Sequence, residues 1–129
     1  MDAIVIRFTT DLFDVTRERP NPINPIYGES LLRWLGDTLR DRVMVPQPEA
    51  EDWGWYVEID WNGRGYLLGA SASDEEGSGP REWVLQIVKH RSLSERLLGR
   101  AKMALDDECA RIIRERLERE PAYADVTVD

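Results

Sequence analysis

The chain is poor in the residues from which most small sites and staples are built, with one cysteine, one histidine and two phenylalanines in 129 residues. The lone cysteine, Cys109, excludes an internal disulfide and with it the stapled frameworks of small secreted domains. The lone histidine, His90, excludes an HExxH motif, and one cysteine beside it cannot complete a Cys/His zinc cage. Glycine-rich phosphate cradles of the GxxxxGK[ST] and GxGxxG types are absent. Ser71 and Ser73, in GASAS, lack the strand-turn-helix setting of a nucleophile elbow. A Cys109–His90 dyad is disfavoured because Cys109 falls on the apolar stripe of its helix, where cysteines are structural. No metal site, catalytic set or cofactor is therefore implied.

Long hydrophobic runs are missing as well. No apolar stretch approaches the roughly 20 residues of a membrane-spanning helix. The opening MDAIVIRFTTDLFD has neither the basic n-region nor the h-region of a signal peptide, so a cytoplasmic protein is expected. Positive charge is also short: 17 Lys and Arg face 25 Asp and Glu, for a net charge of −8. That balance opposes adsorption to nucleic acid or an anionic membrane and favours a basic partner.

What is present is an ordinary globular composition, 42% hydrophobic and 33% charged. The length fits one domain over residues 1–129, able to bury roughly two thirds of its unfolded surface without a staple. AIVIRFT, residues 3–9, reads as an opening strand. Pro20, Pro22 and Pro25 then force RPNPINPIYG to extend or turn, so residues 10–28 form an irregular loop. It is either a functional loop or a belt around the core anchored by Phe13, Ile23, Ile26 and Tyr27.

Leu31, Leu32, Leu35, Leu39 and Val43 recur at helical spacing after a cap between Gly28 and Ser30, which predicts a helix over 29–43. VPQPEAED reads as a loop. Two alternating runs, 55–61 and 64–72, flank Asn62-Gly63, the preferred type I′ pair, and predict a hairpin. Residues 74–80 form an acidic loop, and EWVLQIVKH makes a further strand whose second face, with Val84 and Val88, is partly apolar, which places it inside the sheet. Ser92 and Glu95 have capping-box spacing for a short helix over 93–99. Asp106 caps a longer one through Arg119, and Val126 and Val128 suggest a closing edge strand. The order predicts an α+β two-layer sandwich, a mainly antiparallel sheet of about four to five strands with helices packed on one face.

Two constellations are candidate sites. The first is acidic and aromatic: Glu51, Asp52 and Trp53, where a loop enters a strand, together with Asp74, Glu75 and Glu76 of the acidic loop. In an extended chain Trp53 and Trp55 share a side, and carboxylates beside an indole suit a cation or a basic protein surface, the alternative being that both indoles cap the core. The second is a basic island. Residues 81–102 hold six Lys and Arg against two Glu, a local +4 that leaves −12 elsewhere. Within it Lys89, His90, Arg91 and Arg96 meet the start of the capped helix, an arrangement suited either to an anion or to pairing with neighbouring acids.

In composition the chain resembles small acidic immunity proteins and inhibitors that mask a basic active site, a resemblance of class that carries no residue across. The leading expectation is a non-catalytic binding or regulatory protein that docks on a basic protein partner. The alternative is a small anion-binding or enzymatic domain using the junction 89–96, with His90 as its acid or base.

Overall fold

The computed structural model describes residues 3–72 and 79–129. Period-two alternation builds six strands: β1 (Ala3–Thr10), β2 (Glu49–Glu51), β3 (Gly54–Trp61), β4 (Arg64–Ala72), β5 (Arg81–Lys89) and β6 (Ala124–Val128). They lie in the order β2-β3-β4-β5-β1-β6, every pair antiparallel, so the first strand is interior and the last closes one edge. Three helices, α1 (Glu29–Thr38), α2 (Leu93–Leu97) and α3 (Glu108–Arg119), and a short 3-10 turn at Val15–Arg17 complete the α+β fold. The predicted hairpin forms with Trp61 opposite Arg64, and Asn62 and Gly63 take the positive φ values, 52° and 88°, that a two-residue turn requires.

One face of the sheet carries the core. Ile4, Ile6 and Phe8 of β1, Val57 and Ile59 of β3, Leu68 of β4 and Trp83, Leu85 and Ile87 of β5 are buried together with Leu31, Leu32 and Leu35 of α1 and Cys109, Ile113 and Leu117 of α3. Each of the fully buried leucines contributes roughly 1.5–3 kcal/mol from apolar burial.

Four details depart from the sequence reading. The sheet gains a strand at 49–51, where Pro46, Pro48 and the brevity of the segment hide a three-residue pairing with β3. Helix α1 stops at Thr38 rather than 43: Arg42 N–H turns to the Leu39 carbonyl, and Arg116 of α3 donates to the Thr38 carbonyl and to Asp41. Its N-terminus is capped from ten residues upstream, because Gly28 offers no side chain and the Glu18 carboxylate accepts from the N–H groups of Gly28, Glu29 and Ser30. The cap of α3 is Asp107, one residue beyond the expected Asp106.

The proline-rich segment is tied down at many points. Phe13 packs edge-on against Trp83 at 4.9 Å, the Ile26 carbonyl accepts from Trp55 Nε1, and the Tyr27 carbonyl accepts from Ala72 N–H. Ile23 is not an anchor, being 57% exposed. Asn21 does that work instead: its amide donates to the carbonyls of Glu51 and Gly54 at 3.0 and 2.9 Å, while its oxygen accepts from the N–H groups of Ile23 and Asn24. Arg19 reaches the buried Glu29 carboxylate and the Pro48 carbonyl, and its guanidinium lies 5.1 Å from the Trp55 ring centre. Burial raises the Glu29 carboxyl, but Arg19 and Arg33 outweigh it and hold the pKa below the usual carboxylate value. The turn that carries Glu51, Asp52 and Trp53 is thus held by side chains from the segment before α1.

Candidate docking surface

The core helices pack on one face of the sheet, and the strand registers place a second set of side chains on the other. Cross-strand rows run Glu49, Tyr56, Gly69, Gln86, Val5; then Glu58, Leu67, Val88, Ala3; then Ser71, Val84, Arg7. Leu67, Val84, Val88 and Val5 are half-buried, flanked by strand neighbours but not covered by α1 or α3. They make an apolar strip along the middle of the sheet. Beside it, on β2 and β3, stand the carboxylates of Glu49, Glu51, Glu58 and Asp60.

Trp53 joins this face. A Cβ at Gly69 would lie 2.6 Å from Trp53 Cη2 and 2.8 Å from Cζ3, so glycine is what lets the indole close on β4. Trp55, two residues on, points the other way into the core with 2% exposure. The expectation that the two indoles share a side is therefore corrected: Asp52 and Trp53 form a turn between β2 and β3, and the period-two rule does not run through it. The turn also brings Glu51 onto the same face as Glu58. The field there is negative enough to register on a neighbour. Tyr56 stands across from Glu49, and Glu49 first, with Glu51 and Glu58 after it, raises its hydroxyl pKa.

Asp74, Glu75 and Glu76 lie outside the described residues. Of the first constellation, Glu51 and Trp53 are brought onto the open face, and Asp52 is exposed in the turn, its carbonyl accepting from Asn24 Nδ2 at 2.8 Å.

The four residues of the basic junction are dispersed. Lys89 points to the core side, where its ammonium sits 3.0 Å from the Asp107 carboxylate, both side chains largely buried. Asp107 also accepts from Tyr66 Oη at 2.8 Å and from Ala110 N–H at 3.1 Å. Burial raises its carboxyl, yet the Ala110, Tyr66 and Lys89 donors together hold the pKa low. His90 turns to the open face, its Nε2 3.2 Å from Glu58 and its ring over Gly65. Arg91 donates to the carbonyls of Arg100 and Glu95, and Arg96 is exposed on α2.

At the N-terminus of α2 the capping box is formed as expected, Ser92 Oγ accepting from Glu95 N–H and Glu95 accepting from Ser92 N–H. Arg64 grips the same carboxylate with two bonds of 3.0 and 2.9 Å. Arg64 first, and the Ser92 N–H after it, hold the Glu95 pKa down to about 2. These donors are turned to one of the chain's own carboxylates.

Among the described residues no group of three or more His, Cys, Asp or Glu side chains is placed to hold a metal, and no helix is long and apolar enough to cross a membrane. Burial lifts the Cys109 thiol to about 12, which suits packing rather than nucleophilic chemistry. A groove of about 690 Å³ between α1 and residues 43–48 has Arg33 and Arg40 on its wall, engaged with Glu29 and Asp37. No protein-family model, curated protein or solved structure matches this chain.

Sequence reasoning missed Val5, Leu67 and Glu49 as surface residues of one site. The signal was present in part: Val84 and Val88 on the second face of β5 marked an interior strand, which β5 is, without showing that this second face is left open by α1 and α3.

Proposed function

We propose that this protein is a non-catalytic binding or regulatory protein that docks on a basic protein partner through the open face of its sheet. One observation carries the reading: the face that neither α1 nor α3 covers sets an apolar strip, with Trp53 closed on Gly69, directly beside a row of four carboxylates. Apolar surface rimmed by one sign of charge is the pattern of a docking site, where the strip and the aromatic supply affinity and the rim supplies steering and partner choice. The net charge of −8 extends the same attraction to long range. Docking of this kind asks for no reacting group, and it places Glu51, Asp52 and Trp53 at the edge of the interface. Asp74, Glu75 and Glu76 follow β4 in sequence and contribute three of the acids behind that net charge.

The test is affinity capture from native lysate with three baits: the wild-type chain, a face variant Leu67→Glu with Glu58→Lys, and a control, Met44→Ser, altered at an 86% exposed side chain beside α1. A stoichiometric basic protein held by the wild type and by Met44→Ser, and lost by the face variant, is the expected result. Retention by the face variant, or an acidic partner, would overturn the reading.

A further inference from the structure

Helix α2 is built inside out. An amphipathic helix ordinarily turns its apolar side to the core, yet α2 buries no residue, and Leu93, Leu97 and Leu98 are 73%, 78% and 63% exposed. Five residues are too few for a helix to persist by its own propensity. Polar contacts hold it instead, from its inner side: the Ser92–Glu95 capping box, the two-bond grip of Arg64 on Glu95, and Arg64 to the His90 carbonyl. Scattered surface leucines need no explanation. Three within little more than one turn, on a helix clamped so that they face water, do.

The surroundings of the leucines define what would cover them. Arg96, Arg100 and Lys102 are exposed on the same segment, within the part of the chain that carries +4 against −12 elsewhere. The covering surface must therefore be apolar and rimmed by carboxylates. An extended anionic bilayer meets the second condition, but it also repels the −12 of the remaining chain. One surface meeting both conditions is already described, the open sheet face of this same protein.

We infer that the basic leucine segment 93–102 of one copy docks on the open face of a second copy. Leu93, Leu97 and Leu98 lie on the strip of Leu67, Val84 and Val88, and the cations of the segment face Glu49, Glu51, Glu58 and Asp60. The contact joins two different patches, so it is head to tail and continues from copy to copy unless the rotation closes a ring. This inference rests on reading the open face as a docking surface, and it makes self-association a competitor of the basic partner.

Sedimentation velocity of the full chain over rising concentration tests it. The weight-average sedimentation coefficient should rise with concentration and fall back as salt is added, and Leu97→Glu should remove the rise. A charge exchange removes the ambiguity of a variant that fails to fold. One variant carries Arg96→Glu, Arg100→Glu and Lys102→Glu; the other carries Glu49→Lys and Glu58→Lys. Each alone should sediment as a monomer at every concentration, because its segment and its face then share a sign, and an equimolar mixture should regain association.

A wild type that stays monomeric at low salt, a Leu97→Glu protein that associates like the wild type, or a silent mixture beside an associating wild type would each overturn the inference. So would a monomeric wild type that binds phosphatidylserine vesicles through Leu97, which would assign the segment to lipid. Failure here is separable from failure of the proposed function: a monomeric wild type that still captures a basic protein through Leu67 and Glu58 removes only the self-docking.

Discussion

Replacing Asp107 by Ala tests whether the lysine of the basic junction is part of the scaffold. The Asp107 carboxylate, 5% exposed, caps α3 at Ala110 N–H, accepts from Tyr66 Oη and neutralises Lys89, whose side chain is 15% exposed. Loss of the cap costs about 1 kcal/mol, and a buried hydroxyl left without its acceptor costs about another 1 kcal/mol. Breaking a buried ion pair from one side costs roughly 3–5 kcal/mol; a lysine can swing its ammonium towards water, which reduces that to about 1–2 kcal/mol here. The total is about 3–4 kcal/mol, or roughly 10–15 °C in Tm for a domain of this size.

Asp107→Asn keeps an oxygen to cap Ala110 N–H and puts an NH2 in place of Oδ2, to which the Tyr66 hydroxyl can turn its oxygen as acceptor; it loses the charge and the partner of Lys89 and should cost about 1–2 kcal/mol. The pH dependence has a definite sign. The folded pKa of Asp107 lies below its ordinary 3.8, so the stabilisation is complete above about pH 4 and is lost as pH falls through the folded value. Urea unfolding of the wild type and both variants, followed by tryptophan fluorescence at pH 7 and in the acid range, measures all of this. An Asp107→Ala protein within about 0.5 kcal/mol of the wild type, the ordinary scatter of surface substitutions, would refute the reasoning.

Asn21→Ala should cost about 1–2 kcal/mol, since two half-buried carbonyls lose their donor while the exposed N–H groups of Ile23 and Asn24 find water; amide hydrogen exchange at residues 51–54 should quicken with it. In a carboxyl NMR titration Glu95 should show its midpoint near 2, moving back towards 4.5 in Arg64→Met. Because that folded pKa is depressed, the hold of Arg64 on α2 is intact above 4.5 and is released as pH falls towards 2.

How far the sequence carries depends on how local each cause is. The Asn62-Gly63 hairpin and the Ser92–Glu95 capping box are set by residues within a few positions of one another, and both form as their spacing predicts. The sandwich class follows from the element order in the same way. Non-local causes were illegible: the cap of α1 comes from Glu18, its early end from Arg116, and the seating of Trp53 from an empty Cβ position on Gly69 in another strand. The candidate site divides along the same line. Composition announced acids beside an indole, and strand register decided which of them share a face. Helical periodicity would have turned Leu93, Leu97 and Leu98 inward, and only the grip of Arg64 on Glu95 shows which side of α2 meets water.

The most direct measurement is methyl chemical-shift mapping of the labelled protein titrated with an extended peptide of alternating leucine and lysine, a stand-in for a basic apolar surface. The methyl signals of Val5, Leu67, Val84 and Val88 should move together with one saturation curve that weakens as salt rises, while those of Leu68, Leu85 and Ile87, on the covered face, should stay in place. Shifts confined to residues 93–105 or to the groove beside α1, with the open-face methyls unmoved, would contradict the account.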